Sequence, residues 1–108
     1  MGGAEAIRRL NDRFRQTLEG GRALITQGVL AQGESFVSQA IAAVKAFDAF
    51  TPDNDPYGEH DFGAIEIDGR RVFWKIDYYD LGERAGSPNP ADPNVTVRVL
   101  TILLAEEY

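Results

Sequence analysis

The stretch FGAIEIDGRRVFWKID, residues 62–77, decides the fold of this chain. At its centre lies Asp68-Gly69, flanked by two runs rich in apolar and β-branched or aromatic residues. Asp-Gly between such runs is the strongest short signal for a two-residue type I′ turn. We therefore predict a β-hairpin with strands Phe62–Ile67 and Arg70–Asp77.

Pairing through this turn fixes which residues share a face of the hairpin. Gly63 lies opposite Trp74, and Glu66 lies opposite Arg71 on the other face. A cross-strand Glu–Arg pair contributes about 0.2–1 kcal/mol, so it favours the register more than the stability. The predicted core face carries Ile65, Ile67, Val72, Trp74 and Ile76.

Downstream of the hairpin, the chain predicts a loop and then a buried strand. Residues Leu81–Asn94 are rich in Gly, Pro and Asn, which indicates a loop. Residues Val95–Ala105 are apolar on both faces, a pattern typical of a central strand that is covered on both sides. Because two helices cover only one face, we expect loops or a second copy of the chain, in a homodimer, to cover the other.

Upstream of the hairpin, helical periodicity appears twice. Apolar residues recur at helical spacing in Ala4–Glu19, which Gly20-Gly21 ends, and again in Glu34–Phe47. Arg22–Thr26 lies between them and predicts a short strand. The resulting fold is α+β, a single domain over residues 1–108. Its two N-terminal helices pack on one face of a small, mainly antiparallel sheet of three to four strands.

The composition restricts the function. The net charge is −6, and residues 46–69 contain seven acids and no Lys or Arg. Such a field repels phosphates and attracts basic partners, which argues against direct nucleic-acid binding. The absence of cysteine excludes disulfides and thiolate metal sites. No apolar run is long enough for a membrane span, so we expect a cytoplasmic protein with no membrane contact.

Three motifs carry a family resemblance: TPDNDPYGEHDFG (residues 51–63), FWKIDYYD (residues 73–80) and RVLTILLAEEY (residues 98–108). With these in this order, the chain closely resembles a bacterial family described as domain of unknown function 3768. The resemblance extends from Asn11 nearly throughout to the last residue. It implies a small protein that stands alone, often on plasmids and other mobile elements, and it implies no biochemical activity.

The acidic motif TPDNDPYGEHDFG invites a metal-site interpretation. Asp53, Asp55 and Gly58 match positions one, three and six of a calcium-binding loop. Position twelve, however, is Ala64, where that loop needs a bidentate Glu, so an EF-hand is excluded. A single histidine without cysteine is a poor zinc set. We expect no cofactor and no bound metal.

Acid–base catalysis is a second interpretation of the same motif. Histidine side chains in general suit acid–base work at neutral pH, and a neighbouring carboxylate would orient the ring of His60. The catalytic set would be His60, Glu59, Asp61, Asp77 and Asp80. Neither a nucleophile elbow nor a phosphate-binding glycine loop accompanies them. We therefore favour a protein that is not an enzyme.

A structural interpretation explains many of the same residues. Asx turns at Asn54, a bend at Gly58 and close backbone approach at Gly63 opposite Trp74 all fit a scaffold. Arg98 is the one charge on an apolar strand, and we expect Asp61 or Asp77 to pair with it. His60 would then bond a backbone carbonyl.

These features predict a protein-binding module with an acidic surface. Its anchors would be four aromatic residues, and its acids would steer the encounter with a basic protein. The predicted binding residues are Asp53, Asp55, Tyr57, Glu59, Phe62, Tyr78 and Tyr79. In a mobile-element setting, an inhibitor of a nucleic-acid-handling defence complex, of the restriction or CRISPR type, fits this description. The alternative is a metal-assisted hydrolase or nuclease centred on the GEHD and DYYD motifs.

Overall fold

The fold is α+β, with one four-stranded mixed sheet and three helices in residues 3–108, the part that the computed structural model describes. The helices are α1 (Gly3–Thr17), α2 (Gln27–Leu30) and α3 (Glu34–Ala46). The strands are β1 (Gly21–Ile25), β2 (Phe62–Ile67), β3 (Arg70–Tyr79) and β4 (Val97–Leu104), followed by a 3-10 turn at Ala105–Glu107. None of the described helices is long and apolar enough to cross a membrane.

The hairpin forms as predicted. Strands β2 and β3 pair antiparallel, with Gly63 opposite Trp74 and Glu66 opposite Arg71. Asp68 and Gly69 have φ values of +52° and +76°, the two left-handed positions that a type I′ turn requires. The turn thus fixes the register, and β3 extends two residues beyond the predicted end at Asp77.

The sheet order, β1-β4-β3-β2, places the apolar strand β4 in the interior of the sheet, as predicted. The prediction of a mainly antiparallel sheet holds for the pairs β2–β3 and β3–β4. It is wrong for the edge strand, because β1 runs parallel to β4. Two helices and the hairpin separate β1 from β4 along the chain, and such long connections permit parallel neighbours.

The core lies between the helices and one face of the sheet. Alternate strand residues, including Trp74 and Leu100, contact Phe14 of α1, Val29 of α2 and Val44 of α3 in one cluster. All five of these side chains are at most 1% exposed. Two helices were predicted on this face. The extra one, α2, is a single turn that Thr26 caps through its hydroxyl.

The opposite face of the sheet is partly covered by the chain itself. Val99 and Leu103 are 5% and 6% exposed on this face. The Tyr108 ring lies 5.6 Å from the Phe73 ring and 6.0 Å from the Phe62 ring, measured between centroids. The chain therefore leaves less bare apolar surface here than the pattern of β4 suggested.

Candidate functional site

The GEHD segment, residues 58–61, crosses helix α1 and is held by it residue by residue. Arg8 Nη1 donates to the Gly58 carbonyl at 3.0 Å, and Asn11 Nδ2 donates to the Glu59 carbonyl at 2.9 Å. One helix position later, Asp12 Oδ1 lies 2.8 Å from His60 Nδ1. Spacings of three and four residues place such side chains on one helix face. A polar stripe of α1 therefore sets the path of the acidic motif.

A buried hydrogen-bond network lies beneath this crossing. Asn11 is completely buried; its Nδ2 also donates to the Tyr78 hydroxyl at 2.8 Å. The Tyr78 hydroxyl in turn donates to Glu59 Oε1 at 2.9 Å, and Arg98 Nε donates to Asn11 Oδ1 at 2.8 Å. Burial raises the pKa of Tyr78, so its hydroxyl stays protonated and remains a donor. The network joins α1, β3, β4 and the acidic motif.

Arg98 does not have the carboxylate partner that the sequence predicted. Its guanidinium donates to Asn11 and to the Pro90 carbonyl, and it lies over the Tyr78 ring, 5.2 Å from the centroid. Burial lowers the pKa of Arg98 because the charged form loses hydration. The prediction failed because neutral acceptors from distant segments satisfy the group instead.

His60 lies between two carboxylates rather than on a backbone carbonyl. Its Nδ1 lies 2.8 Å from Asp12 Oδ1, its Nε2 lies 3.5 Å from Asp55 Oδ2, and its ring stacks on Phe50 with centroids 3.6 Å apart. The Nδ1–Asp12 contact is a hydrogen bond, and the Nε2–Asp55 contact is a longer, ion-pair distance. The backbone of His60 has φ +55°, so these contacts also hold an uncommon conformation.

Arg15 connects this cluster to α3. Its Nη1 donates to the Val44 and Lys45 carbonyls, and its Nη2 donates to Asp12 at 3.2 Å. The guanidinium thus satisfies carbonyls at the carboxyl end of α3, where cations are favoured. Arg15 is 1% exposed, so this cation is buried between the two helices.

Sequence reasoning missed Asn11 and Arg15 altogether as site residues. Asn11 falls four residues after Ile7 and three before Phe14, so it occupies a buried position of the apolar stripe. A polar amide at such a position was the available signal, because a buried amide requires hydrogen-bond partners.

The residues of the predicted catalytic set do not meet in one place. The Asp77 carboxylate bonds Lys75 at 2.9 Å, on the sheet face away from the helices. Asp80 accepts from the Arg84 backbone amide in the following turn. Asp61 lies half-buried, and burial together with the charge of Glu59 raises the pKa of its carboxyl. Within residues 3–108, no three His, Cys, Asp or Glu side chains are grouped as a metal site.

The predicted aromatic anchors are also distributed over different surfaces. Tyr78 faces the helices, whereas Phe62 and Tyr79 lie on the opposite face of the sheet. Tyr57, in the loop, is 80% exposed. Only Tyr57 therefore lies in the acidic segment as an exposed aromatic residue.

The acids of the predicted binding surface divide in the same way. Asp53 is exposed. The side chain of Asp55 is only 7% exposed, and Asp55 Oδ1 accepts from the His60 backbone amide at 3.2 Å. Glu59 is held by Tyr78. Asp55 and Glu59 therefore act within the fold, and Asp53 remains available to a partner.

Reciprocal hydrogen bonds brace the loop that carries Tyr57. Asn54 Oδ1 accepts from the Thr51 amide at 2.8 Å, while the Thr51 hydroxyl accepts from the Asn54 amide at 3.2 Å. Asn54 Nδ2 also donates to the Ala49 carbonyl. Beside this loop lies an open cavity of about 410 Å³, which Phe50, Tyr57 and His60 help to line.

At two glycines of the motif, a side chain from another segment lies close to the backbone. A Cβ at Gly63 would lie 2.3 Å from Trp74 Nε1, so the indole occupies the space that any side chain would need. Gly58 has φ +67°, and a Cβ there would lie 3.3 Å from Arg8 Nη1. Close packing of the indole and the left-handed bend thus both require glycine.

Comparison with known proteins places the chain in one family. The model of the family described as "Protein of unknown function (DUF3768)" matches residues 25–107. No curated protein and no solved structure matches the chain. The matched residues contain the acidic motif, the hairpin and strand β4, while Asn11 and Arg15 precede them. Since the match extends over most of the sequence, the chain belongs to the DUF3768 family.

Proposed function

We propose that this protein is a binding module rather than an enzyme, and that the acidic loop, residues 51–57, engages a basic protein. The observation that carries the proposal is the position of Tyr57. This residue is 80% exposed at the end of a loop in which Thr51, Asn54 and Asp55 are hydrogen-bonded within the fold. Exposed tyrosines are frequent energetic anchors of protein interfaces.

The bracing of the loop favours binding because it reduces the entropy lost on association. Thr51 and Asn54 bond each other, and Gly58 is bonded by Arg8 at the end of the loop. A segment that is already ordered does not have to be immobilised by the partner. Tyr57 and Asp53 are therefore presented on a pre-organised surface.

The charge of the region selects the kind of partner. Residues 46–69 contain seven acids without Lys or Arg, and Asp53 is exposed among them. Such a surface accelerates encounter with a basic protein and disfavours nucleic acid itself. We propose a cytoplasmic accessory factor of mobile-element type. Its partner would be a nucleic-acid-binding defence protein, of the restriction or CRISPR type, which the factor inhibits.

A pull-down from the source cell tests the proposal, with Tyr57→Ala and Tyr108→Ala compared against the unchanged chain. Tyr108 is 75% exposed and lies on the outer face of the sheet, so it is a matched control. We expect a basic protein to be retained by the unchanged chain and by Tyr108→Ala, and lost with Tyr57→Ala. Equal retention by both variants would refute the role of the loop.

Steering by charge gives a second measurement on the same complex. Asp53→Asn removes an exposed acid from the loop without touching the braces of Thr51 and Asn54. We expect slower association and a weaker dependence of the association rate on salt, with the dissociation rate little changed. An unchanged association rate would contradict electrostatic steering by the loop.

A metal-assisted hydrolase is the second proposal, and one contact favours it. Asp12 lies 2.8 Å from His60 Nδ1, next to the open cavity of about 410 Å³, an arrangement that suits a general base. Metal-dependent turnover of a phosphodiester that His60→Ala abolishes would support this function.

A cation site saturated at a hundred times its dissociation constant would add about 2.7 kcal/mol to the unfolding free energy. Melting curves that overlay with Mg²⁺, Mn²⁺ or chelator would count against it.

A further inference from the structure

Arg98 is a buried cation that makes no direct contact with a carboxylate, and the negative charge of Glu59 acts on it only from a distance. The Arg98 residue is only 3% exposed to solvent. Nε and Nη2 donate to the neutral oxygens of Asn11 and Pro90. Within residues 3–108, no carboxylate lies within ion-pair distance of the guanidinium. Buried charges are normally paired, so an unmatched one indicates a place for an anion.

The third nitrogen of this guanidinium remains available. Nη1 of Arg98 donates to no acceptor in the described part of the chain. In the described part of the chain, the side-chain nitrogens that are fully buried and have no hydrogen-bond partner are Arg15 Nε and Trp74 Nε1. Nη1 of Arg98 is not one of them. Nη1 is therefore an unpaired donor that is not completely sealed from solvent.

Arg98 lines a cavity of about 360 Å³ between α1 and the segment that leads into β4. Leu10, Phe14 and Pro93 provide apolar walls, and Arg13 supplies a second cation. Glu19 also lines the cavity, so its charged side chains carry a net charge of +1 (two arginines and one glutamate). This volume is at the lower end for small-molecule sites, which typically combine apolar walls with a few polar groups.

We propose that this cavity binds the carboxylate of a small organic acid with a short apolar body. Nη1 of Arg98 supplies a charged donor for one carboxylate oxygen, and the apolar walls accommodate the hydrocarbon part of the ligand. A net charge of +1 and the presence of Glu19 favour a monoanion over a phosphate dianion. The cavity shares no residue with the acidic loop, residues 51–57, so the ligand and the proposed protein partner would contact different residues.

The experiment is an NMR titration of the full chain with hexanoate, hexanamide and inorganic phosphate. We expect hexanoate to shift the resonances of the Arg98 Nε–H and the Thr96 amide, because both residues line the cavity. The neutral amide lacks the charge, so it should shift neither signal at the same concentrations. Equal affinity for hexanamide, or tighter binding of phosphate, would overturn the proposal.

Arg13→Gln and Arg9→Gln provide matched variants on the same helix. Both arginines are exposed, but only Arg13 lines the cavity, and its side chain forms no hydrogen bond in the described part of the chain. Arg13→Gln should weaken hexanoate binding about two- to five-fold, as expected for one exposed ion pair. Arg9→Gln should leave it unchanged. Equal effects of the two substitutions would show that hexanoate responds only to the overall charge, which would also overturn the proposal.

Discussion

Replacing Asn11 by alanine tests whether the buried network holds the acidic motif onto α1. The substitution removes three hydrogen bonds, to the Glu59 carbonyl, the Tyr78 hydroxyl and Arg98 Nε. A net loss of about 1 kcal/mol for each neutral bond and about 1.5–3 kcal/mol for the bond to the charged group gives a total of about 3–5 kcal/mol. Such a loss is a large part of the ~5–15 kcal/mol that stabilises a typical domain.

Urea denaturation followed by tryptophan fluorescence measures this loss directly. Trp74 is the single tryptophan and is completely buried, so its emission reports global unfolding. At ~4 °C per kcal/mol or more for a domain of this size, the melting temperature should fall by at least about 12 °C. Gln16→Ala, at an exposed position of the same helix, is the control and should change the unfolding free energy by no more than ~0.5 kcal/mol.

A double-mutant cycle distinguishes the network from a simple packing defect. Tyr78→Phe removes only the hydroxyl that bonds both Asn11 and Glu59. If the three groups act together, Asn11→Ala and Tyr78→Phe should be non-additive by at least ~0.5 kcal/mol. A loss below about 1 kcal/mol for Asn11→Ala, or strict additivity with Tyr78→Phe, would refute the reasoning.

Three further predictions follow from other parts of the fold. The pKa of the Asp61 carboxyl is raised in the folded state above its usual 3.8. Between these two pKa values the native state binds more protons than the unfolded state, so the free energy of unfolding falls as pH rises through that window. Asp61→Asn should therefore be more stable than the unchanged chain at pH 7, with the difference vanishing below pH 3.8; a loss of stability at pH 7 would contradict this. Gly63→Ala should cost at least ~1–3 kcal/mol because its Cβ would meet the Trp74 indole, whereas Gly3→Ala, with open space around it, should change little in the same denaturation experiment. Phe73 on the outer face of the sheet is only half-buried, so we expect a second copy of the chain to cover it. Sedimentation at micromolar concentration should show a homodimer, and Phe73→Lys should dissociate it. A monomer would show that the chain covers this face alone.

The Asp61 prediction reverses what the sequence suggested for the two neighbouring residues. Sequence reasoning made Asp61 or Asp77 the partner of Arg98 and let His60 bond a backbone carbonyl. In the structure, His60 contacts Asp12, Asp55 and Phe50, while Arg98 is satisfied by Asn11 and Pro90. Residue type alone could not assign these partners, because several acids in the motif were chemically equivalent candidates.

The sequence by itself determined the elements whose causes are local. The Asp68-Gly69 turn fixed the hairpin register, and helical periodicity located all four ends of α1 and α3 to within two residues. The presence of apolar residues on both faces identified β4 as an interior strand. Each of these signals operates over a few neighbouring residues, and their side-chain directions follow from the backbone period.

Only the tertiary structure decided the parallel pairing of β1 with β4 and the composition of the site. The contact of Asp12 with His60 joins residues 48 apart in the chain, and that of Asn11 with Arg98 joins residues 87 apart. At such separations, the partner of a polar group depends on how helices and strands stack, and the local pattern carries no information on that stacking. For this reason the acidic motif was visible in the sequence, whereas the helix stripe that holds it was not.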